Sequence, residues 1–358
     1  MSAIPSHPDL IRPDWLSDRL RGAGLLESGE VTGITWEAIG TGQVGDSARL
    51  HLSYDRPGAG PATVAGKFPA ADETSRATAG SFRLYAKEVG FYREIAPHLG
   101  VRVPQVLAAE IAEDNVEFVL IFEDLGPARG GNQLASCTAA DARAGIRQAA
   151  AIHAPSWNSA ALTELDWLKA PAGQVDQIKA LYGHAQAIFQ ERYKDQLEPE
   201  FMMVCEELNE ARGDWFGHEG GHRSIIHGDF RLDNLLFDIK GGAEEIAVLD
   251  WQTVAAGNPL TDIGYFMGTG IGDQLRHAHE DELLALYCTE MSSRGVPLSR
   301  EAVWDDYVLG ALSGISTAVF SAAFVERTPR GDANFLSMAR GGCGLALQHG
   351  SMAKLKGL

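Results

Sequence analysis

The chain has 358 residues, of which 45% are hydrophobic, so it can bury a large core and is long enough for two structural lobes. Its 30 basic and 48 acidic side chains give a net charge of −18, which repels nucleic acid and anionic membrane surfaces at long range. Any phosphate that binds must therefore be held by local groups, such as backbone amides, a lysine or a divalent metal.

The cysteines and the N-terminus carry no sign of secretion. Cys137, Cys205, Cys288 and Cys343 lie far apart, with no C-x-x-C pair and no histidine at zinc spacing. The first ten residues lack the cationic start and apolar core of a signal peptide, so we expect a tail that leads into a short helix. Together these features predict a cytoplasmic protein with reduced thiols.

The first third of the chain is predicted to be rich in β-structure. Its opening part contains three runs of strand character, separated by turns rich in glycine or proline, and we expect them to form an antiparallel meander. These runs are Ile34–Ile39, Ala48–Tyr54 and Thr63–Phe68.

A glycine-rich run joins the first two predicted strands. Gly40, Gly42 and Gly45 form a G-x-G-x-x-G pattern, which suits a hairpin whose backbone N–H groups fold over nucleotide phosphates. The same glycines could open a Rossmann helix, but the residues from Ala48 to Tyr54 alternate like a strand. The pattern therefore favours a nucleotide-binding hairpin.

Lys67 ends the third predicted strand, where a kinase places the lysine that contacts the α- and β-phosphates of ATP. The next segment, Ala79–His98, is predicted to be helical. Glu88 on that helix is our candidate to pair with Lys67 and orient it, and Glu94 is the alternative.

Two further strands, Val106–Ile111 and Val116–Phe122, complete the β-rich part. The second ends abruptly in polar residues, so we expect the backbone around Glu123 and Leu125 to hydrogen-bond the adenine edge. The glycines and proline that follow loosen the chain between Glu123 and Gly130. We therefore predict an N-lobe of residues 1–124 that binds nucleotide and a C-lobe of residues 125–358 that is mainly helical.

The C-lobe is predicted from long alanine-rich helical segments and one short β-like insert. One segment, Val308–Val325, has eighteen residues without a charge, which is the minimum for a membrane span. Small and polar residues such as Gly310, Ser313 and Thr317 dilute it, so we predict a buried helix and no membrane span. The other predicted elements are helices at Ala139–His153 and Gln174–Tyr193 and strands at Leu235–Phe237 and Ile246–Leu249.

The strongest motif lies around the β-like insert. His227, Gly228 and Asp229 follow an apolar run, Asn234 comes five positions after Asp229, and Asp250 ends the second strand. This spacing repeats the protein-kinase arrangement of H-R-D, four residues, Asn and a later metal-binding Asp. Transfer of phosphate to a hydroxyl needs a carboxylate beside the incoming O–H, which Asp229 can supply as catalytic base. It also needs oxygen ligands for Mg²⁺ on the ATP phosphates, which Asn234 and Asp250 can supply.

These motifs resemble the aminoglycoside phosphotransferase and choline kinase superfamily, especially its ecdysteroid-kinase-like branch and the phosphotransferase domains fused to some acyl-CoA dehydrogenases. The resemblance is carried by His227–Phe237, Val248–Gln252 and Gly257–Phe266 and is looser elsewhere. It implies an α+β, bilobal protein-kinase-like fold. It also implies that Asp262 braces the catalytic loop, and that His227 orients this loop and does not exchange protons. His153 is predicted to be a packed helical histidine.

The chain departs from protein kinases after Asp250. Asp250-Trp-Gln replaces D-F-G, no A-P-E follows, and only twelve positions separate Asp250 from Asp262, too few for a segment that docks a peptide. The expected acceptor is therefore a small hydroxylated metabolite, bound among the C-lobe helices after Ala139, near Tyr265–Met267 and Trp304–Phe324. An aminoglycoside or choline-type kinase and a nucleotide-binding pseudokinase that acts as a sensor are the alternatives. The acceptor and the oligomeric state are left open.

Overall fold

The computed structural model describes residues 4–40, 44–169 and 173–358. The chain divides into two compact units, each of which is built from several segments. The first unit comprises Met1–Pro97, Val103–Pro127 and Asp250–Thr253, and the second comprises His98–Arg102, Ala128–Leu249 and Val254–Leu358. The main division falls after Pro127, inside the segment where the sequence predicted a change of structure. Two short segments, His98–Arg102 and Asp250–Thr253, belong to a different unit from the chain on either side of them. The sequence did not predict this exchange.

The first unit contains a five-stranded antiparallel sheet in the order β1-β2-β3-β5-β4. Its first three strands form the predicted meander, with Ser47 opposite Lys67 in the pairing of the second and third strands. The strands are β1 (Val31–Ile39), β2 (Gly45–Tyr54), β3 (Thr63–Pro69), β4 (Val106–Ile111) and β5 (Phe118–Glu123).

The core of this unit lies between the sheet and an N-terminal helix, α1 (Pro13–Gly22). A 3-10 turn (Pro8–Leu10) precedes the helix, and proline takes its first position, where no N–H donor is needed. Leu16 and Leu20, one turn apart on α1, are fully buried. They pack in one cluster with the inward-facing side chains of the strands, including Leu50, Val64 and Ile121.

The predicted helix Ala79–His98 is wrong as a single element. The structure has α2 (Glu73–Ser81) and α3 (Leu84–Gly90), separated at Arg83, whose φ of 56° is left-handed. Gly80 and Ser81 are weak helix formers, which helps to explain why α2 ends here. Beyond α3 the helical path continues as a π-turn (Phe91–Ile95) and a 3-10 turn (Ala96–His98).

The second unit is mainly helical, as predicted. Thr138 begins its first helix with a capping box, in which the hydroxyl binds the Asp141 N–H and the Asp141 carboxylate binds the Thr138 N–H. The helices are α4 (Ala139–Ser156), α5 (Ala160–Thr163), α6 (Gln174–Tyr193), α7 (Pro199–Glu210), α8 (Arg212–Gly217), the single turn α9 (Ile239–Gly242), α10 (Leu260–Tyr265), α11 (Asp273–Ser293), α12 (Arg300–Phe324), α13 (Pro329–His349) and α14 (Ser351–Leu355).

Short strands position the loops of this unit. The predicted β-like insert is confirmed as the antiparallel pair β8–β9, and β6 extends it to a three-stranded sheet. A second pair, β7–β10, leads into the His227 loop. The strands are β6 (Arg129–Gly130), β7 (Ser224–Ile226), β8 (Leu235–Asp238), β9 (Glu244–Val248) and β10 (Ala255–Gly257).

The apolar segment Val308–Val325 lies almost wholly within α12. Among the described residues α12 is the one helix that is long and apolar enough to cross a membrane, judged by length and composition alone. In the structure 67% of its apolar window is buried, and the helix packs against α6, α10 and α13 of its own unit. That burial is what a core helix requires.

Candidate active site

Lys67 is the centre of an ion-pair group in the first unit. Its Nζ lies 2.8 Å from Oε1 of Glu88 and 2.8 Å from Oδ1 of Asp250. Lys67 is on β3, Glu88 is on α3, and Asp250 belongs to the short segment that the distant part of the chain contributes to this unit. The structure thus brings together three residues that the sequence had assigned to nucleotide and metal binding.

The structure also decides between the two glutamates proposed as partners of Lys67. Glu88 is 1% exposed and contacts the lysine, whereas Glu94 lies on the exposed side of the π-turn. Glu88 faces the sheet because the helix that carries it packs Tyr85 and Val89 into the core.

Lys67, Glu88 and Asp250 form the Lys67 group, and their charges shift the pKa values of Lys67 and Glu88. Burial alone would lower the pKa of Lys67, but the carboxylates of Asp250 and Glu88 outweigh it and raise that pKa. Burial raises the pKa of Glu88, an effect that the Lys67 ammonium partly offsets and Asp250 reinforces. With both carboxylates ionised, one ammonium faces two negative charges, so the group has an excess of one negative charge that suits a metal cation.

Asp250 is fastened to α3 by the residue that follows it. The Trp251 N–H donates to Glu88 Oε1 at 3.3 Å, and the fully buried indole stacks on Phe91 with ring centroids 3.7 Å apart and planes 7° apart. Asp250 itself has a left-handed φ of 63°, which a non-glycine residue keeps only when its neighbours hold it. Trp251 and Glu88 are those neighbours.

The predicted phosphate hairpin is described only in part. Gly42 lies outside the described residues. Gly40 has a φ of 77°, which favours glycine, and Gly45 begins β2. A side chain on Gly45 would meet the Phe68 carbonyl oxygen at 3.2 Å and the Lys67 Cε at 3.4 Å, so a larger residue here would require its neighbours to shift by a few tenths of an ångström.

The predicted adenine contact lies where β5 ends. Glu123 is the last residue of this strand, and its N–H donates to the Gln105 carbonyl at 2.9 Å. Leu125 is buried, and next to it Asp124 forms a 2.6 Å ion pair with Arg49. The N–H of Glu123 is therefore already engaged, and the proposed contact of this backbone with adenine stays a prediction.

In the second unit, Asp262 holds the His227 loop as the family resemblance implied. Its carboxylate accepts the backbone N–H groups of His227 at 2.7 Å and Gly228 at 2.9 Å. It also lies 3.3 Å from Nε2 of His153, whose Nδ1 is 3.0 Å from the Tyr287 hydroxyl. His153 is fully buried in α4, so the prediction of a packed helical histidine is confirmed.

His227 links the loop to the strand that precedes Asp250. The Asp229 N–H donates to His227 Nδ1 at 3.2 Å, so this nitrogen is the acceptor and Nε2 carries the proton. Nε2 lies 2.8 Å from the Leu249 carbonyl oxygen, to which it donates. With both ring nitrogens engaged and no exposed surface, His227 orients the loop.

The carboxylate of Asp229 is surrounded by donors. Arg231 Nε lies 3.0 Å and 3.1 Å from its two oxygens, the Tyr265 hydroxyl donates to Oδ1 at 2.6 Å, and the Asn234 amide donates to Oδ2 at 2.9 Å. The Asp229 side chain keeps 20% of its surface exposed. It is thus oriented from several sides while still open to a reactant.

Sequence reasoning did not assign Arg231 to the site, and it placed Tyr265 only near the acceptor pocket, without a contact to Asp229. Burial would lower the pKa of Arg231, but Asp229, Tyr265 and Asp233 together raise it. Burial raises the pKa of Tyr265 well above 10, and Asp229 adds to that shift, so the hydroxyl stays a donor. Both residues lie in the motif segments, and the position of Arg231 two residues after Asp229 was the available signal.

Asn234 is placed by a 3-10 turn (Leu232–Asn234) and by the strand pair beside it. The side-chain nitrogen of Asn234 donates to the backbone carbonyl of Asp229 at 2.8 Å and also to the Asp229 carboxylate. The backbone carbonyl of Asn234 accepts the Leu249 N–H at 2.9 Å. With the nitrogen held in this way, the amide oxygen is the atom of Asn234 that can ligate a metal.

The donor chemistry of Asn234 and Asp250 fits magnesium. Mg²⁺ prefers oxygen ligands, keeps several waters and is usually bound by one or two protein groups together with substrate phosphates. Among the described residues no group of three or more His, Cys, Asp or Glu side chains could hold a metal by itself. The Asp250 carboxylate of the first unit and the Asn234 amide of the second are each a ligand type that such a metal accepts.

Solved structures show the fold to which these two units belong. A putative aminoglycoside phosphotransferase from Ralstonia eutropha JMP134 aligns over 94% of this chain and 99% of its own, with a TM-score of 0.54 and 19% identity. An ethanolamine kinase from Plasmodium vivax aligns over 90% of this chain and 85% of its own, with a TM-score of 0.53 and 11% identity. The chain therefore has the kinase-like fold of these proteins, and the predicted α+β fold class is confirmed.

The family follows from the sequence. The model of the ecdysteroid kinase-like family matches residues 47–294, which include every candidate site residue except the glycines that precede β2 and Gly45. The chain belongs to the ecdysteroid kinase-like family. The human acyl-CoA dehydrogenase family member 11 is 51% identical over 43 residues, which are 12% of this chain and 5% of that protein. The matched part is thus only a small fraction of the length of these curated relatives.

Proposed function

We propose that this chain is an ATP- and Mg²⁺-dependent phosphotransferase that moves the γ-phosphate of ATP to a hydroxyl of a small metabolite. The observation that carries the proposal is the contact of Lys67 with both Glu88 and Asp250, each at 2.8 Å. A lysine paired with a helix glutamate, together with a metal-binding aspartate, is the arrangement that an active kinase requires. Membership of the ecdysteroid kinase-like family supports the same activity.

In this proposal each residue has one task. Lys67 binds the α- and β-phosphates, and Glu88 keeps the lysine in position. Asn234 and Asp250 would hold Mg²⁺, which when bound neutralises phosphate charge. Asp229 accepts the proton of the acceptor hydroxyl while the hydroxyl oxygen bonds to the γ-phosphorus. The bond from that phosphorus to the β–γ bridging oxygen breaks, and ADP leaves.

Two solved structures of the same fold support a small acceptor. Their names describe an ethanolamine kinase and a putative aminoglycoside phosphotransferase, and both substrates are small hydroxylated molecules. We infer that the acceptor of this chain is also small, because too few residues separate Asp250 from Asp262 to dock a peptide. The four free cysteines support the proposed cytoplasmic location, where ATP is available.

The test is release of ADP from ATP and Mg²⁺ across a panel of small alcohols. With an accepted alcohol, Asp229→Ala should lower kcat by about a thousandfold, the order expected when a positioned base is lost. Asp238→Ala is the control, because the Asp238 side chain is 62% exposed and forms an ion pair with Arg129, away from the candidate site residues. Full turnover by Asp229→Ala would show that the assigned base is wrong.

A pseudokinase that senses nucleotide is the second candidate. Its distinguishing outcome is a rise in melting temperature with ATP, since a ligand that binds the folded state stabilises it, without ADP release on any alcohol. The presence of Lys67, Asp229, Asn234 and Asp250 argues against this candidate. No thermal shift at millimolar ATP, with or without Mg²⁺, would contradict both.

A further inference from the structure

Two buried cysteines face each other in the second unit. Cys205 on α7 and Cys343 on α13 are each 0% exposed, and their Sγ atoms lie 3.8 Å apart. The two residues are 138 positions apart in the chain, so the packing of the two helices, and not local sequence, creates the contact. Neither thiol takes part in the candidate active site or in the proposed function.

The distance between the two sulfur atoms is short enough for a covalent bond to form after a small movement. A disulfide has an S–S length of about 2.05 Å, so the sulfur atoms must approach each other by about 1.8 Å. The backbones of α7 and α13 pack against each other, and rotation about a Cα–Cβ bond moves a sulfur atom over such a distance. The approach therefore needs movement of the side chains rather than a new path of the backbone.

Cys343 is poorly reactive while the helices are packed. Its S–H lies 3.5 Å from the Phe201 carbonyl oxygen, to which it donates. Burial raises the pKa of Cys343 well above its usual range, and Cys205 and Glu198 add to this shift. Because the thiolate is the nucleophile, Cys343 cannot be the thiol that first attacks an oxidant in the closed protein.

The helix α7 is the element whose opening exposes Cys205. It has twelve residues, and Met203 on its outer side is 59% exposed. Two ion pairs between partly exposed groups fasten its ends, Glu198 with Arg340 and Glu207 with Lys356, each at 2.9 Å. Such pairs stabilise weakly and are screened by salt. A short helix held in this way can open locally without unfolding of the whole unit.

The other two cysteines provide an internal comparison. Cys137 is half-buried and Cys288 is buried, and within the described parts of the chain neither has a sulfur–sulfur contact like that of Cys205 and Cys343. Burial raises the pKa of Cys137 to about 12, so its greater exposure does not make it an activated thiol. Exposure alone predicts oxidation of Cys137 first, whereas geometry predicts a disulfide between Cys205 and Cys343.

We propose that Cys205 and Cys343 form an oxidation site, at which a peroxide converts the two thiols to a disulfide that joins α7 to α13. Cys205, exposed by opening of α7, loses its proton and attacks one oxygen of hydrogen peroxide. The O–O bond breaks, Cys205 becomes a sulfenic acid, and the released hydroxide takes the proton to form water. This site is independent of the proposed kinase activity.

Cys343 completes the reaction when α7 closes again. Its sulfur attacks the sulfur of the sulfenic acid, the S–O bond breaks, and the oxygen leaves as a second water with the proton of Cys343. The two thiols lose two electrons, and one peroxide is reduced to two waters. The disulfide closes a loop of 138 residues, which restricts the unfolded chain and should raise the melting temperature by several degrees.

The first test treats the full, reduced chain with hydrogen peroxide and maps its peptides by mass spectrometry. We expect the protein to lose two of its four free thiols as one disulfide between Cys205 and Cys343, to stay monomolecular in this bond, and to regain the thiols with dithiothreitol. The melting temperature should rise on oxidation. Oxidation of Cys137 or Cys288 while Cys205 and Cys343 remain thiols overturns the proposal, as does a disulfide between two chains.

The rate of disulfide formation tests the opening of α7. Glu207→Gln removes the ion pair with Lys356 and should speed the reaction about two- to fivefold, the factor that loss of an exposed ion pair can produce. Asp166→Asn is the matched control, because it removes an exposed ion pair with Lys169 that lies outside α7 and α13. Equal rates for the two variants would overturn the proposed route through α7.

Trapping of the sulfenic acid with dimedone tests the order of the two steps. Cys343→Ser removes the resolving thiol, so dimedone should label Cys205 in this variant. Cys205→Ser should leave Cys343 unlabelled under the same treatment, because Cys343 does not attack the peroxide. Label on Cys343 and none on Cys205 would overturn the assigned order. The peptide map of the unsubstituted chain decides whether the disulfide forms even where a variant fails to fold.

Discussion

The group around Lys67 and the group around Asp229 both contain carboxylates, but they balance charge in different ways. Lys67 is shared by Glu88 and Asp250, which leaves an excess of negative charge when both carboxylates are ionised. Asp229 instead receives hydrogen bonds from Arg231, Tyr265 and Asn234.

The difference corresponds to the two tasks we propose. A group with excess negative charge attracts a divalent cation and, through its lysine, the phosphates that accompany the cation. A carboxylate held by several donors is fixed in orientation, which a base needs more than it needs added charge. The predictions below test whether the two groups respond differently, from the largest effect to the smallest.

Removal of Asp250 should have the largest effect. Asp250→Ala takes away the proposed metal ligand and one of the two carboxylates on Lys67, so kcat should fall on the order of a thousandfold. The added thermal stabilisation that Mg²⁺ gives to the ATP complex should disappear as well. If Mg²⁺ still increases the stabilisation by ATP, Asp250 is not the ligand.

Glu88→Gln should lower kcat/KM by roughly tenfold to a hundredfold, because a misplaced lysine can cost about that much in rate. The neutral amide still fits beside Lys67 but no longer anchors its charge. Glu94→Gln is the matched control, since Glu94 is an exposed glutamate six positions later. Steady-state kinetics with varied ATP measures both, and equal losses would contradict the assigned pairing.

Tyr265→Phe should have a smaller effect on the Asp229 group. It removes one donor at 2.6 Å while Arg231 and Asn234 remain, so kcat should fall about three- to tenfold, as for loss of one hydrogen bond to a charged group. KM for ATP should not change. The raised pKa of Tyr265 also predicts no tyrosine limb in the wild-type pH profile below pH 10. A kcat equal to wild type would remove Tyr265 from the site.

Glu244→Gln should have the smallest effect, because Glu244 lies in neither group. Hydrogen bonds from Arg102 and Lys240 lower the pKa of Glu244 to about 2. Since this pKa is depressed in the folded state, the stabilisation is present above the unfolded value of about 4.3 and is lost as pH falls through about 2. The side chain is 35% exposed, so solvent screening limits the loss at pH 7 to under about 1 kcal/mol.

Urea unfolding at two pH values measures the last prediction. At pH 7 the free energy of unfolding should be larger for the wild type than for Glu244→Gln. This difference between the two proteins should vanish near pH 2. A difference that widens in acid would contradict the sign. Activity of the variant at pH 7 should match wild type.

The sequence predicted those parts of the fold and site in which local pattern and chemistry agree. The meander of β1 to β3, the helix Gln174–Tyr193 and the strand pair around Asn234 follow from hydrophobic periodicity and turn residues. Asp229, Asn234 and Asp250 could be chosen as site candidates because phosphoryl transfer fixes the residue types and spacing it needs, and their roles stay predictions.

Features that depend on tertiary contacts could not be predicted from the sequence. The break at Arg83 is a local left-handed residue that no periodicity marks. The choice of Glu88 over Glu94 depends on which side of the helix meets the sheet. Tyr265 binds Asp229 across 36 positions, and the sulfur atoms of Cys205 and Cys343 meet only because α7 packs against α13.

The segment Asp250–Thr253 belongs to the first unit, although the chain before and after it belongs to the second. A fragment that ends at Pro127 would keep Lys67 and Glu88 but would lack Asp250 and the indole that covers Phe91. The first unit therefore cannot be inherited as one contiguous piece of gene. Any recombination that exchanged it between relatives would have to carry four distant codons along, which ties the evolution of the two halves together.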